Sequence, residues 1–475
     1  MRKKIIYLLS LLMALSLVFA SCKKNSVTDA IGENTPPKEE DNSQDADQST
    51  GLYDDYNKIP ANEVVKKETI FEGDGVNYLR NPVIVVMGSQ SNEVAVFAEK
   101  RYKSPGADND VGINGTSAVD IVYRYSGNAG IRFGSETIVG KGAAGPKDSH
   151  GAPVVYKVAD NKVVVVASAG GGIARTSEEA KTAGQGTETK PDSKIEYIVG
   201  TLEGETFKWG AWTEVQFSTS GDLLKKVQEI ATPQSGLNYM QMGTHSAKGH
   251  VPANNTLILP VVMAQQGVVG SGAKELMGVY FITGKVDNNS SSVTWTDSTK
   301  YIVFEKGNNN NFSKFKETRI IAGNNSADLT DVKYIAVPNP DYGVSTFGLG
   351  SDSSSQPQAS AISGHFGSPG YLTLNWYGAQ NYVPTDYSKG TSSEKKSLFL
   401  GVKTQNTDVT LYLVAQDTLQ SEGSYLVNAI GKSGSIDVLG DGTVVTAAEE
   451  GSNGDRNYYT SFTRYSQKYL TTLLK

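Results

Sequence analysis

Short apolar runs separated by turn residues recur from Ile59 to the C terminus, and they limit the fold class more than any other feature of the sequence. The runs are rich in Val, Ile, Leu and Tyr, and Gly, Asn, Asp and Ser stand between them. Short β-branched runs bounded by turn residues are typical of strands. The sequence therefore predicts an all-β fold. The clearest runs are residues 83–86, 94–97, 163–166, 257–260 and 411–414.

Turn dipeptides between two such runs predict β-hairpins. Asp160-Asn161 separates residues 152–158 from residues 162–167, and Asp441-Gly442 separates residues 435–439 from residues 443–447. Helical periodicity is nearly absent. Residues 222–230 are the best helix candidate because their apolar side chains fall on one side, namely Leu223, Leu224, Val227 and Ile230.

The number and regular spacing of the predicted strands favour a closed, radially repeated architecture such as a β-propeller. Fifty glycines suit the many turns of such a fold. No exact repeat is visible, so the number of blades does not follow from the pattern alone. Residues 169–193, which are Gly-rich and then charged, and the Ser-rich residues 348–364 are predicted to be loop insertions.

The N terminus has the three parts of a secretory signal. A basic segment, residues 1–4, precedes the apolar residues 5–20, and small residues precede Cys22. The end of the segment, Phe19-Ala20-Ser21-Cys22, resembles a lipoprotein cleavage box, although Phe19 stands where Leu is usual. We therefore expect residues 1–21 to be a lipoprotein signal peptide and Cys22 to be lipidated. The alternative is an ordinary signal peptide with Cys22 incidental.

The polar segment after the signal predicts a flexible tether at residues 22–58. It is rich in Asp, Glu, Asn, Ser, Thr, Gln and Pro, so it buries too little apolar surface to offset its ordering entropy. Residues 59–475 then form the folded body. The expected location is the cell envelope, with the protein lipid-anchored to the outer membrane or the cell surface.

Charge and composition narrow the possible functions. The net charge of −6, without a basic run after the signal, argues against a nucleic-acid partner. The single cysteine excludes an intrachain disulfide. Nucleotide-binding and metalloprotease motifs are absent. The four histidines are interpreted as polar loop residues and not as metal ligands. We expect no cofactor, no metal and a monomer.

A family resemblance begins in the first two strands. Residues 78–85 (YLRNPVIV) and 94–101 (VAVFAEKR) look like the opening of bacterial sialidases, which read Arg-Ile-Pro and then Phe-Ala-Glu-x-Arg. Asn81 stands in the place of Ile. The next segment, Pro105-Gly106-Ala107-Asp108, resembles the Gly-Ala-Asp of that family.

The resemblance continues in order along residues 70–475. Residues 126–133 look like an Asp-box, Ser-x-Asp-x-Gly-x-x-Trp, with Asn128 and Phe133 in the places of Asp and Trp. Further segments resemble conserved family segments in the same order; these are residues 148–167, 243–263, 316–318, 435–444 and 449–451.

The resemblance implies a six-bladed β-propeller and an exo-α-sialidase that releases terminal sialic acids from glycoproteins, glycolipids or oligosaccharides. A sialidase uses a Tyr nucleophile where most glycosidases use a carboxylate. Arg suits the sialic acid carboxylate because its planar fork binds carboxylates bidentately. The implied site consists of Asp108 as acid/base, Tyr425 as nucleophile, Glu317 activating the Tyr, Arg80, Arg101 and Lys395 as substrate-binding cations, and Glu449 orienting Arg80.

Departures from the family pattern leave other functions open. The family binds the carboxylate with three arginines. By spacing, the second falls near residues 333–338 and the third near Lys395, and neither place has an Arg. Ser433 and Gly434 stand where the nucleophilic Tyr is expected, and Tyr425 is the nearest upstream Tyr. One alternative is a propeller lipoprotein that binds a glycan or partner without cleaving it. Another is a purely structural surface lipoprotein.

Overall fold

Strands formed by the predicted apolar runs make up most of the described chain in the computed structural model. Residues 1–65 lie outside the description, so the predicted signal peptide and tether, with Cys22, are not described. The described residues all belong to one compact unit, Ala46–Lys475. They are residues 66–74, 77–102, 118–172, 193–218, 221–231, 241–251, 255–265, 276–287, 291–305, 319–323, 332–339, 343–347, 360–361, 372–377, 396–403, 408–415, 421–428, 433–440, 443–451 and 458–465.

The strands, numbered in chain order, form six sheets within the described residues. Four of the sheets have four antiparallel strands each. The closing sheet contains, in spatial order, β1 (Lys66–Glu72), β28 (Tyr459–Tyr465), β27 (Val444–Glu450) and β26 (Gly434–Val438). The first sheet contains β2 (Asn77–Met87), β3 (Glu93–Tyr102), β4 (Val119–Ser126) and β5 (Thr137–Ile138). The fourth contains β18 (Arg319–Gly323), β19 (Val332–Asn339), β20 (Gly343–Phe347) and β21 (Ser360–Ala361). The fifth contains β22 (Leu372–Tyr377), β23 (Lys396–Lys403), β24 (Asp408–Ala415) and β25 (Ser421–Asn428).

The second and third sheets are larger and mixed, with six strands each. The second contains β6 (His150–Ala159), β7 (Lys162–Gly170), β8 (Ser193–Glu203), β9 (Thr206–Trp209), β10 (Thr213–Glu214) and β14 (Ala247–Lys248), the last parallel to β6. The third contains β11 (Gln216–Phe217), β12 (Gly221–Asp222), β13 (Gln241–Gly243), β15 (Thr256–Gln265), β16 (Leu276–Val286) and β17 (Val293–Glu305).

The two ends of the described chain meet in the closing sheet. Strand β1 pairs with β28 from Lys66 opposite Arg464 to Glu72 opposite Tyr459. The closing sheet also contacts the first sheet through side chains of β26. Ser435 Oγ accepts a hydrogen bond from the backbone N–H of Ile84 at 3.0 Å, and Asp437 Oδ2 accepts one from Val86 at 2.8 Å.

Strand β7 is buried on both faces, which explains why its run is continuously apolar. Val163 and Val165 belong to the hydrophobic core between the first and second sheets, which also includes Phe97. Val164 and Val166 belong to the core between the second and third sheets. Successive side chains of a strand point to opposite faces, so a strand between two sheets needs apolar residues at every position.

Most of the local predictions are confirmed. All five apolar runs lie in strands, and both predicted hairpins form, β6–β7 and β26–β27. The predicted helix is α1 (Leu223–Ala231), the only α-helix among the described residues. The Asp222 carboxylate accepts the N–H of Leu224 at 2.8 Å and caps the helix, while Leu223 and Val227 pack into the core. No helix in the described ranges has the length and apolar character needed to cross a membrane.

The two predicted loop insertions are described only in part. Strand β7 ends at Gly170 and β8 begins at Ser193, and residues 173–192 lie outside the described part of the chain. Within residues 348–364 the described residues are Ser360 and Ala361, which form β21.

Candidate functional site

A bulge near the start of β2 redirects one backbone N–H out of the first sheet. The pairing of β2 with β3 shifts between Arg80 and Val83, and Asn81 has φ +55°. Asn tolerates this left-handed conformation better than most residues, and the following Pro82 has no N–H to pair. The same device recurs in β6, where Ala152 has φ +51° and precedes Pro153.

Arg80 is held by a buried carboxylate of the closing sheet. Its Nε donates to Glu449 Oε1 at 2.9 Å, and its terminal nitrogen donates to Glu449 Oε2 at 3.3 Å. The N–H of Asn81 donates to the same Oε1 at 2.7 Å. The ring of Tyr458 lies 3.9 Å from the guanidinium carbon, close enough for a cation–π interaction. The Glu449 side chain is fully buried, so the Arg80 guanidinium has a fixed position.

Arg101 is held in the same manner by Glu99. Its Nε and a terminal nitrogen both donate to Glu99 Oε2, at 2.8 and 2.5 Å. The other oxygen, Oε1, accepts the N–H of Ala152 at 2.5 Å. Glu99 lies directly opposite Arg80 in the pairing of β2 with β3, so the two ion pairs are neighbours. We call Arg80, Glu449, Glu99 and Arg101 the arginine–glutamate cluster.

The arginine–glutamate cluster lies at the edge of the sheets where the longer connections begin. Strand β3 leaves this edge at Tyr102 and returns as β4 at Val119, and β7 leaves at Gly170 and returns as β8 at Ser193. At the opposite edge, residues 88–92 and 160–161 suffice for the hairpin turns. Binding and catalytic residues concentrate where a rigid scaffold carries long connections. The position of the cluster therefore makes it the candidate functional site.

Asp120, which lies opposite Lys100 of β3, belongs to a separate hydrogen-bonded group at the same end of the first sheet. Its carboxylate accepts the Tyr102 hydroxyl at 2.7 Å and the N–H of Ala143 at 2.7 Å. Burial, followed by the hydrogen bond to Asp120, raises the pKa of Tyr102 well above its usual value. Tyr102 therefore stays protonated and acts here as a hydrogen-bond donor.

Three of the seven residues predicted for substrate binding and catalysis fall in this cluster. Glu449 does contact Arg80 as predicted, and Arg101 lies beside them, while their roles toward a substrate stay predictions. Tyr425 is on β25, opposite Leu411 and at the edge of the fifth sheet; its side chain is not described. The other predicted residues lie outside the described residues; these are Asp108, Glu317, Lys395 and the lipidation site Cys22.

The interpretation of the histidines as polar loop residues is wrong for His150. This residue is buried at the start of β6, where its Nε2 lies 2.8 Å from Glu196 Oε2 and its ring stacks on Trp212 at 3.8 Å. The hydrogen bond from His150 lowers the pKa of Glu196. Among the described residues, no group of three His, Cys, Asp or Glu side chains is placed to hold a metal ion.

Sequence reasoning missed two members of the site. Glu99 stands inside the quoted Phe-Ala-Glu-x-Arg motif, and a charged residue that ends an apolar run signals a buried partner. Tyr458, which is fully buried against Arg80, follows no comparable pattern, because many tyrosines here occupy core positions.

Comparisons with known proteins give a fold relationship without a family. No protein-family model and no curated protein matches the chain. A solved structure of a protein of unknown function from Dyadobacter fermentans has a TM-score of 0.50 at 9% identity, covering 86% of this chain and 100% of that one. At this identity the likeness concerns the fold alone.

Two further solved structures overlap less well. An apocarotenoid oxygenase from Synechocystis has a TM-score of 0.33 at 9% identity, covering 74% of this chain and 62% of that one. An α-L-arabinofuranosidase from Fusarium graminearum has a TM-score of 0.30 at 10% identity, covering 81% of this chain and 77% of that one. Scores this low carry no information about the activity of this chain.

Proposed function

We propose that this chain is a lipid-anchored, sialidase-type glycoside hydrolase that releases terminal sialic acids from glycans. The observation that carries the proposal is the pair of buried arginines, Arg80 and Arg101, each held by its own glutamate at the long-connection edge of the sheets. Two fixed guanidinium groups in one place suit a small ligand with a carboxylate and several hydroxyls.

The proposed architecture is a six-bladed propeller formed by residues 59–475. Six sheets occur in the described residues, and the first strand completes the last sheet. Strands of successive sheets also contact each other in series: β18 with β22, β22 with β26, β26 with β2, and β2 with β6. Residues 126–133 support the proposal further. They form the turn between β4 and β5, in which Ser126 Oγ accepts the N–H of Gly130 and Asn128 Oδ1 that of Arg132.

In the proposed reaction, Arg80 binds the sialic acid carboxylate while Glu449 keeps the guanidinium in place. Asp108 acts as acid/base, and Glu317 activates a tyrosine that attacks the anomeric carbon. A tyrosine suits an anionic substrate because a bare carboxylate nucleophile would be repelled by the substrate carboxylate. Tyr425 remains the proposed nucleophile. Tyr458 contacts Arg80 but is fully buried, which leaves its hydroxyl no access to a substrate.

The test is release of a fluorescent aglycone from a sialic acid conjugate by the purified mature protein, over about pH 4 to 8. We expect turnover that Asp108→Asn abolishes and that Arg80→Lys weakens through KM, because Lys keeps the charge but lacks the planar fork. Turnover no greater than that of Asp108→Asn would reject the enzyme.

The second candidate is a propeller that binds sialylated glycans without cleaving them. Lys395 in the third arginine position and Ser433 near the expected tyrosine favour it. Ser433 is buried, and its carbonyl oxygen accepts the Glu449 N–H. Saturable binding of a sialyl oligosaccharide, with the intact ligand recovered afterwards, would support this function.

The proposed location follows from the N-terminal sequence. Cys22 is proposed to carry the lipid, and residues 22–58 to hold the folded body away from the membrane. Metabolic labelling with a fatty-acid analogue tests the anchor directly. We expect labelling of the native chain and none of Cys22→Ala.

A further inference from the structure

The closing, first and second sheets each have a polar side chain at an equivalent position near the end of one inner strand, namely β27, β3 and β7. The runs 94–99 (VAVFAE), 163–168 (VVVVAS) and 444–449 (VVTAAE) align, which places Glu99, Ser168 and Glu449 in equivalent positions. The pairing agrees with this alignment. Glu99 lies opposite Arg80, and Ser168 opposite Gly151, in each case the residue just before the bulge.

All three side chains have the same structural role. Each accepts a backbone N–H from the next sheet and so forms what we call a junction. Glu449 accepts the N–H of Asn81 at 2.7 Å, Glu99 that of Ala152 at 2.5 Å, and Ser168 that of Thr244 at 2.8 Å. Thr244 directly follows β13 of the third sheet.

The serine junction shows that a side chain can accept the N–H of the next sheet without being charged. The N–H of Ser168 donates to Thr244 Oγ1 at 2.9 Å, and that hydroxyl donates to the carbonyl of Ala152 at 2.6 Å. The junction is thus satisfied by neutral groups alone. Burying a carboxylate and a guanidinium instead carries a desolvation cost that neutral groups avoid. The charges at the two glutamate junctions therefore need an explanation other than the fold.

We propose that Glu99 is a positioning residue that fixes Arg101 for the ligand. One carboxylate oxygen of Glu99 makes the junction to Ala152, and the other accepts hydrogen bonds from two nitrogens of Arg101. A single side chain therefore links the two sheets and holds the arginine. Ser168 makes its junction with a short neutral side chain, and a side chain of that kind at position 99 could not hold the guanidinium. The inference rests on the proposed function, because it assigns Arg101 to the ligand of that site.

The substitution Glu99→Ser is designed to separate the two roles, because it introduces the residue type that makes the junction in the next sheet. We expect Glu99→Ser to unfold cooperatively but to raise KM for the fluorogenic sialoside about tenfold or more, as loss of a charge-assisted hydrogen bond does. The isosteric Glu99→Gln, which keeps an acceptor without the charge, should fall between Glu99→Ser and the native chain. The matched control is Ser168→Ala, which weakens a junction without touching an arginine; it should unfold at a lower temperature with KM unchanged.

The outcomes separate the inference from the proposed function. Native protein that turns over the sialoside, with Glu99→Ser folded and its KM within about twofold of native, overturns the inference alone. A native chain that neither cleaves nor binds the sialoside overturns both. Should Glu99→Ser fail to fold, Glu99→Gln decides, and an unchanged KM for that variant overturns the inference.

Discussion

Arg80 is held from two sides, by the Glu449 carboxylate in its plane and by the Tyr458 ring against its face. Such a buried pair adds little net stability compared with apolar residues, but removing one partner leaves the other charge without compensation. The pair therefore fixes geometry more than it stabilises the protein, which agrees with a role in binding.

Arg80→Met tests this description of the ion pair. The variant keeps an unbranched apolar side chain but strands the Glu449 charge, so we expect unfolding free energy to fall by about 3 kcal/mol. Adding Glu449→Gln removes the stranded charge while an amide oxygen still accepts the Asn81 N–H, and should recover much of the loss. Denaturant melts of the native, single and double variants give the coupling. Additive losses would contradict the ion-pair account.

The partly buried His250 is expected to make the folded protein less stable in acid. Burial, and then the nearby Lys248 charge, lowers the pKa of His250 to about 4. The unfolded chain, with a histidine pKa of about 6.5, binds the proton more readily. Stability from this residue is complete above about pH 6.5 and is lost as pH falls toward 4, by at most about 3 kcal/mol.

Replacing His250 by Gln should flatten that part of the pH profile. We expect the melting temperature of the native protein to fall more steeply between about pH 6.5 and 4 than that of His250→Gln, because the variant has no proton to gain there. Parallel slopes for the two proteins would show that His250 does not titrate as described.

At the scale of elements, the two Xaa-Pro bulges orient backbone N–H groups at the candidate site. They turn the N–H groups of Asn81 and Ala152 toward carboxylates of the preceding sheets. Sequence patterns predicted strands, hairpins and the helix here, because those depend on local periodicity and turn chemistry. The bulges could not be predicted, because a Pro inside an apolar run is as typical of an edge strand as of a bulge. The contacts between Glu99 and Ala152 depend on which sheets are neighbours, which no local pattern records.

Ala152 offers a test of the bulge in β6. Its φ of +51° is unfavourable for a residue with a Cβ, whereas glycine adopts it freely. We expect Ala152→Gly to raise unfolding free energy by up to about 1 kcal/mol, and Ala152→Val to lower it by about 1–2 kcal/mol. Thermal melts of both variants check the sign. A destabilising glycine would mean that the bulge is not strained.

At the scale of the whole molecule, strand β1 pairs the first described segment of the chain with the last. Without it, β28 would be an open sheet edge. The sequence predicted a closed architecture from the regular spacing of strands, but it did not identify β1 as part of the last sheet. Strand pairing between residues 66–72 and 459–465 spans nearly the whole chain, and no pattern within either segment encodes its partner.

Two N-terminal truncations separate the closing strand from the tether. A chain that begins at residue 59 keeps β1, so we expect its melting temperature to match that of the mature protein. A chain that begins at Gly73 lacks β1 and exposes the apolar surface that Ile70 and Phe71 cover, both about 2% exposed or less. At about 1.5–3 kcal/mol for each buried side chain, the loss should be about 5 kcal/mol. Because β28 pairs with β27, and Glu449 of β27 holds Arg80, the same truncation should weaken sialoside binding. Equal melting temperatures for the two chains would mean that the closure through β1 contributes nothing to the stability of the fold.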